Sequence, residues 1–218
     1  MERIAGLATI PQREATLQAV INSIAPQVDR VYVALNGYSK IPEWFHNLRN
    51  VIPEITDNSR GDGFKFLHAN IFDAIYFGCD DDIVYPYGYF DYLQAGIARY
   101  DALVSLHGRI YPRPITDFRR FIGNYRCLNT VPADVRVDLV GSGVCGFSTN
   151  RLKIYVEDFK IANMADVWLC GKAQEQGVPR WVLKHNVNYL EHISNPVTIW
   201  QSRKDKSQET ALLREFLR

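Results

Sequence analysis

Short apolar runs alternate with segments of helical periodicity through the first half of the chain, and this alternation constrains the fold more than any other feature of the sequence. The runs at 3–10, 30–37 and 74–79 have the length and composition of buried strands. Between them, 13–25 carries apolar residues at helical spacing, and 86–100 begins with a proline suited to a first helical turn. Strands that alternate with helices predict an α/β fold, with a Rossmann-like, mostly parallel sheet flanked by helices.

The rest of the chain is patterned less regularly, and 112–150 in particular is rich in Gly, Pro, Asn and Arg. No internal repeat or low-complexity linker divides it. The further predicted elements are an edge strand at 51–56, a helix at 64–72, a strand at 102–111, a helix at 164–177, one or two strands within 180–193 and an amphipathic helix at 207–218.

Size and charge exclude several classes of protein. The chain has 218 residues, of which 47% are hydrophobic, so it is too apolar to be disordered and can build one sizeable core. A formal net charge of +1 gives no overall attraction to nucleic acid, so no nucleic-acid partner is expected.

The compartment is predicted from segments that the sequence lacks. No stretch approaches the roughly 20 apolar residues of a transmembrane helix, and the first residues do not resemble a signal peptide. The four cysteines are scattered, without a CxxC pair, as expected for free thiols in a reducing compartment. We therefore expect a soluble, cytoplasmic protein with no transmembrane segment, which could still be a domain of a longer chain.

Three adjacent aspartates, Asp80, Asp81 and Asp82, follow the third strong strand directly. Neighbouring carboxylates repel one another and are costly to bury, so a positive partner is expected. One interpretation is a solvated turn in which one aspartate caps the following helix. The other is an oxygen-ligand site for Mg²⁺ or Mn²⁺, which take few protein carboxylates and complete their shell with water and phosphate oxygens.

Two further polar clusters fall at predicted strand ends. Thr9 and Arg13 follow the first strand, and Asn36 ends the second. Ligands of open α/β sheets bind at the carboxyl ends of the strands, so the three clusters together favour a site at this edge. The chain has neither a GxGxxG after its first strand nor a P-loop, which argues against a dinucleotide-binding domain and a P-loop NTPase.

The order of these pieces resembles a GT-A glycosyltransferase, a nucleotide-sugar-dependent family with a DxD motif at a strand end. The resemblance rests on "LATIPQRE", "GDGFKF", "CDDD", "VGSGVCGF" and a late Asp-helix-strand-His series, and it spans about residues 3 to 195. The chain is similar in particular to compact domains that build bacterial surface polysaccharides and the capsid glycans of large algal viruses. The resemblance implies a GT-A fold and a hexosyltransferase-type enzyme that moves a sugar, with UDP-sugar favoured as donor, to a glycan or glycoprotein hydroxyl.

The resemblance also implies roles for individual residues on the donor side. The nucleotide sugar would be bound by Thr9, Arg13, Asn36, Asp62, Lys65, Asp80 and Gly143. Plain structural roles stay open for several of them: a surface charge for Arg13, a turn residue for Asn36, a solvated helix residue for Lys65, and glycine packing in a buried strand for the loop around Gly143.

On the metal and acceptor side, the resemblance implies Mn²⁺ or Mg²⁺ bound by Asp80, Asp82 and His192, with His185 as the alternative histidine. Asp166 would be the general base and Asp81 would touch the sugar or the waters of the metal. Ala165 stands where many members of the family carry an acidic residue, which leaves a helix N-cap open for Asp166. His107 and Arg109 are further candidates to contact the sugar or phosphate.

These expectations describe a single domain over 1–218. Its parts would be a nucleotide-binding half at 1–110, a smaller acceptor-side half at 111–195 and a helical tail at 196–218. Two other functions stay open: a nucleotidyltransferase acting on sugar phosphates, and a carbohydrate-binding domain without activity.

Overall fold

The computed structural model describes residues 1–71, 73–194 and 205–217. The α-helices are α1 Glu14–Ile24, α2 Tyr89–Tyr100, α3 Ala165–Glu175 and α4 Ser207–Phe216. The strands are β1 Glu2–Thr9, β2 Arg30–Asn36, β3 Val51–Thr56, β4 Ala74–Cys79, β5 Ile83–Val84, β6 Leu103–Ser105, β7 Gly108–Ile110, β8 Gly123–Tyr125, β9 Val135–Arg136, β10 Leu139–Val140, β11 Val144–Ser148, β12 Arg180–Val182 and β13 Glu191–His192. Five 3-10 segments complete these elements: Pro11–Arg13, Ala25–Gln27, Glu43–Asn47, Gly61–Phe66 and Val156–Asp158.

One eight-stranded sheet organises the described residues, in the order β3-β2-β1-β4-β11-β6-β12-β9. The pairs that β1 makes with β2 and β4 are parallel, as are β2 with β3 and β12 with β6. The strand β11 runs antiparallel to both of its neighbours, and β9 is antiparallel to β12. The predicted α/β class with a mostly parallel sheet is confirmed, and 51–56 forms the predicted edge strand.

Two buried clusters lie on the two faces of this sheet. Alternate residues of a strand point to opposite faces, so Tyr76 belongs to the cluster under α3, and Phe77 to the cluster under α1 and α2. Every residue of β4 is buried, as expected for a central strand covered on both faces. The C-terminal ends of the parallel strands β1, β2, β3 and β4 lie together at one rim of the sheet.

The predicted helices at 13–25, 86–100, 164–177 and 207–218 are all present. Gly177 has φ of 64° just after α3, the left-handed conformation that ends helices. In α4, Leu213 and Leu217 are buried, and the ring of Phe216 packs so closely on Gly171 of α3 that a Cβ there would lie 2.4 Å from it. Within the described residues, no helix is both long and apolar enough to cross a membrane.

The predicted helix at 64–72 is wrong. The chain forms the 3-10 segment Gly61–Phe66 and then turns up to residue 71, while Phe72 lies outside the described residues. Gly61 adopts φ of +54°, and a Cβ on Gly63 would lie 2.8 Å from the side chain of Phe159. Close tertiary packing of this segment, with Lys65 turned inward, overrides its helical periodicity.

Candidate functional site

A cavity of about 740 Å³ opens where β1, β2 and β4 end. It is closed on the opposite side by the first turn of α3 and by the start of α4. Ten of the eleven predicted site residues line it: Thr9, Arg13, Asn36, Asp62, Lys65, Asp80, Asp81, Asp82, Asp166 and His192. Residues from six separate segments thus meet at the rim that the sequence predicts.

Asp81 is the most deeply held of the three aspartates. Its carboxylate accepts a 2.7 Å hydrogen bond from the hydroxyl of Thr9 and forms a close ion pair with Arg13. Its backbone carbonyl accepts a hydrogen bond from Thr16. Burial raises the pKa of Asp81, and Arg13 offsets part of that rise. The catalytic role of Asp81 stays a prediction, but both of its oxygens already have partners, which favours holding Arg13 and the turn in place.

Asp80 is paired with Lys65, which lies on the 3-10 segment beneath the cavity. The side chain of Lys65 is only 3% exposed, and its ammonium group makes a close ion pair with Asp80, whose side chain is 40% exposed. Burial alone would lower the pKa of Lys65, but the carboxylates of Asp80 and Asp62 raise it above its ordinary value. Lys65 therefore stays charged and fixes Asp80 from below, while the carboxylate keeps a face toward the cavity.

Asp82 and His192 approach each other at the mouth of the cavity. Strand β13 pairs with β5, which places His192 opposite Ile83, and the ring Nε2 lies 3.7 Å from an Asp82 oxygen. Burial, followed by repulsion from Asp80 and Asp81, raises the pKa of Asp82 to about 6. The crowding of negative charge at this point is the physical reason to look for a cation.

The donor set fits a hard divalent cation with few protein ligands. No group of three His, Cys, Asp or Glu in the described part of the chain has the arrangement of a complete metal site. Asp80 and Asp82 do present carboxylate oxygens to one cavity. Mg²⁺ and Mn²⁺ are commonly held by one or two carboxylates and take their remaining ligands from water and phosphate.

On the opposite wall, Asn36 orders the loop before Lys65. Its side-chain amide donates a 2.9 Å hydrogen bond to the carbonyl of Gly61, and its oxygen accepts one from Thr56. The neighbouring Asp62 accepts long hydrogen bonds, at 3.3 and 3.4 Å, from the backbone of Ala165 at the start of α3. Burial raises the pKa of Asp62 to about 7.

Asp166 lies in the first turn of α3, with Ser142 and His107 beside it in the cavity wall. One of its oxygens accepts a 2.8 Å hydrogen bond from the backbone of Ser142. It does not act as the N-cap, which is Met164. Burial lowers the pKa of His107, and a neutral imidazole therefore faces the cavity.

Gly143 does not line the cavity and instead lies against Asp80. A Cβ at Gly143 would be 1.8 Å from an Asp80 oxygen, so only glycine leaves room for that carboxylate. The Gly143 carbonyl accepts a 2.5 Å hydrogen bond from the hydroxyl of Tyr85, which in turn accepts one from the Asp80 backbone. The predicted glycine loop continues into the buried strand β11. Its backbone therefore agrees with the alternative of a buried strand in which glycines allow close packing.

Two of the other candidates lie elsewhere. His185 is buried away from the cavity, with its ring nitrogens 2.8 and 3.3 Å from the carbonyls of Leu183 and Arg126. Arg109 packs against the rings of Phe118 and Phe121 rather than lining the cavity.

Sequence reasoning missed the wall that α4 provides. Lys206 and Glu209 line the cavity as a buried ion pair with a 3.0 Å separation, and Lys206 also lies over the ring of Phe118. Two opposite charges three residues apart are ordinary on a solvated helix, so their spacing gives no signal of burial. Only the packing of α4 against α3 brings them here.

Comparison with known proteins adds little to this geometry. No protein-family model and no curated protein matches the chain. A crystal structure of a provisionally assigned nucleotide-diphospho-sugar transferase from Desulfovibrio desulfuricans G20 matches with a TM-score of 0.43 and 13% sequence identity, over 98% of this chain and 93% of that chain. At this distance the likeness carries no argument about the site or its activity.

Proposed function

We propose that the protein transfers a sugar from a nucleoside diphosphate sugar to a hydroxyl group, with Mg²⁺ or Mn²⁺ bound by Asp80 and Asp82. One observation carries the proposal. The aspartate triplet is divided, with Asp81 neutralised by Arg13, while Asp80 and Asp82 present carboxylates to the cavity. A dication that brings diphosphate oxygens would contact Asp82 and the cavity-facing side of Asp80, whose carboxylate is also paired with Lys65.

When bound, the cation would supply Lewis-acid stabilisation of the departing diphosphate. The residues of the chain would do the positioning. Lys65 holds Asp80 from below, and Arg13 holds Asp81 and also lies 3.3 Å from Asp82. Neither basic residue needs to move to keep the carboxylates at the strand end.

Asp166 is the candidate general base. One oxygen is fixed by the Ser142 backbone, and within the described residues the other has no hydrogen-bond partner. This Asp166 oxygen would take the proton of the acceptor hydroxyl while the hydroxyl oxygen of the acceptor bonds to the anomeric carbon of the donor sugar. The bond from that carbon to the diphosphate would break, and the diphosphate would leave with the electron pair. The His107 ring and the Lys206–Glu209 pair would form the acceptor wall.

The first experiment identifies the donor. The protein is screened for thermal stabilisation by UDP-, GDP- and dTDP-sugars, each with and without Mn²⁺. We expect one nucleotide class to raise the melting temperature only with the metal. The absence of stabilisation by any donor would refute the proposal, and binding without turnover would instead indicate a domain without transferase activity.

The second experiment tests the metal ligands. Release of nucleoside diphosphate is measured for the parent, for Asp82→Ala and for Asp91→Ala, an exposed aspartate on α2 whose side chain is 65% accessible. We expect the Asp82 variant to lose about a hundredfold in turnover, and the Asp91 variant to match the parent. Equal metal-dependent turnover in all three proteins would contradict the assignment of Asp82.

A further inference from the structure

A second large cavity, of about 1000 Å³, lies at the other end of α3. Asp166 at the start of α3 faces the candidate transferase site, whereas Gln174 near its end lines this second cavity. The two residues are eight positions apart, or about 12 Å along a helix axis. None of the described residues lines both cavities, so the second one is treated as a separate cavity.

Arginines dominate this cavity. Arg113, Arg136, Arg180 and Arg214 line it, and Asp138 is the one acidic residue among its lining residues. We call it the arginine cavity. Its formal charge is +3, whereas the whole chain has a net charge of only +1. The size is within the range of small-molecule sites, at about 300 to 1000 Å³.

Three of these guanidinium groups, those of Arg136, Arg180 and Arg214, have no carboxylate partner in the part of the chain that the structure describes. Arg180 is 8% exposed, and it donates hydrogen bonds to the Cys170 carbonyl and, at 2.7 Å, to the side-chain oxygen of Gln174. The buried Nε of Arg180 has no acceptor among the described residues. Arg214 donates to the carbonyls of Ile115 and Thr116, at 2.5 and 3.1 Å.

The fourth arginine, Arg113, is different, because a carboxylate in the same cavity compensates its charge. Arg113 donates to Asp138 at 2.9 Å and to the Tyr111 carbonyl at 3.0 Å. Neutral acceptors hold a guanidinium group in place without cancelling its charge, and a buried unpaired charge is costly. Arg180 and Arg214 are therefore held in fixed positions while their charge stays available to a ligand.

We propose that the arginine cavity binds a small molecule that carries phosphate or carboxylate oxygens. Guanidinium groups match the geometry of both oxyanions and bind them through paired hydrogen bonds. Ile110, Ile115, Val137 and Leu217 add an apolar wall, which suits a ligand that has a carbon skeleton as well as its anionic group. The inference does not depend on the proposed transferase activity.

The test is calorimetric titration of the full chain after metal removal on a chelating resin, in buffer without a soluble chelator, so that no divalent metal recruits anions to the aspartate triplet. The probes are pyrophosphate, citrate and glucuronate, with glucose as the neutral control, at constant ionic strength. Binding of pyrophosphate alone would assign the ligand to the phosphates, and binding of citrate or glucuronate would assign it to the carboxylates. Absence of binding for all three anions would overturn the proposal.

Variants locate the binding. Arg214→Gln and Arg180→Gln should each lower the affinity for the anion by about tenfold or more. This is the loss expected when a hydrogen bond to a charged group is removed. Arg49→Gln, the same charge change at an exposed site outside the cavity, should bind like the parent. Arg214 is exposed on α4, so its variant tests the site even if the Arg180 variant does not fold. Equal affinity of the parent and Arg214→Gln would overturn the proposal.

Discussion

The end of β4 and the arginine cavity differ in whether their charged side chains have oppositely charged partners. At β4, each of two carboxylates has its own cation: Asp81 is paired with Arg13, and Asp80 with Lys65. In the arginine cavity, Arg180 and Arg214 are held by carbonyl and amide oxygens. The first region is balanced within the chain except at one carboxylate, whereas the second keeps an excess of positive charge.

This difference separates charges that fix the structure from charges that are available to a ligand. A closely paired, buried ion is costly to disturb, because removing one partner leaves the other charge uncompensated. A guanidinium group held by neutral oxygens can be replaced at smaller cost to the fold. Stability and binding measurements should therefore respond differently in the two regions.

Among substitutions compared at one pH, the largest effect is expected from Asp81→Ala. Removal of this carboxylate leaves Arg13 buried beside the weaker contact to Asp82, and the Thr9 hydroxyl loses its acceptor. We expect the free energy of unfolding to fall by about 3 kcal/mol. Urea denaturation followed by circular dichroism measures it.

Arg214→Gln provides the matched comparison, with an expected loss of about 1 kcal/mol. If the two variants were destabilised equally, the distinction between the paired and the unpaired region would be wrong.

A further effect is expected from pH, through Asp62. Its pKa of about 7 in the folded protein exceeds the value of about 4 in an unfolded chain. The folded state therefore holds a proton that the unfolded state releases, and the free energy of unfolding falls as pH rises from about 4 to 7.

Asp62→Asn removes this proton while keeping an oxygen to accept from Ala165. We expect the pH-dependent decline to shrink by about 4 kcal/mol in the variant, since the pKa difference is about three units. Urea midpoints collected at several pH values for both proteins test this, and parallel curves would show that Asp62 does not carry the effect.

The smallest effect is expected from Arg109→Gln, because Arg109 lies 5.1 and 5.3 Å from the ring centroids of Phe118 and Phe121. Loss of its charge should lower the free energy of unfolding by about 0.5 kcal/mol. Thermal denaturation beside Arg49→Gln measures the difference. If the free energy of unfolding fell as much as in Asp81→Ala, Arg109 would stabilise the fold as strongly as the Asp81–Arg13 ion pair does, and the expected ranking would be wrong.

The sequence predicted the sheet and the rim at which the candidate site lies because the signals are local. Continuous apolar runs such as β4 mark strands buried on both faces, and polar residues directly after them fall at the ends of parallel strands. The same reasoning failed for 64–72, where two glycines and the inward turn of Lys65 depend on contacts with distant residues.

The residues of the candidate site were found for the same reason, but their partners were not. Spacing along the chain indicates neither that Arg13 pairs with Asp81 nor that Gly143 makes room for Asp80. The Lys206–Glu209 pair and the arginine cavity had no sequence signal, because each depends on where α4 packs.

The sequence by itself determined the α/β class, the succession of strands and helices along the first half, and the rim at which its acidic and basic residues gather. The tertiary structure alone decided which charges are neutralised and which stay available, since ion pairing depends on distances of a few ångströms between residues as far apart as 13 and 81. Periodicity reports which side of an element is buried, whereas charge balance depends on what the fold brings to that side.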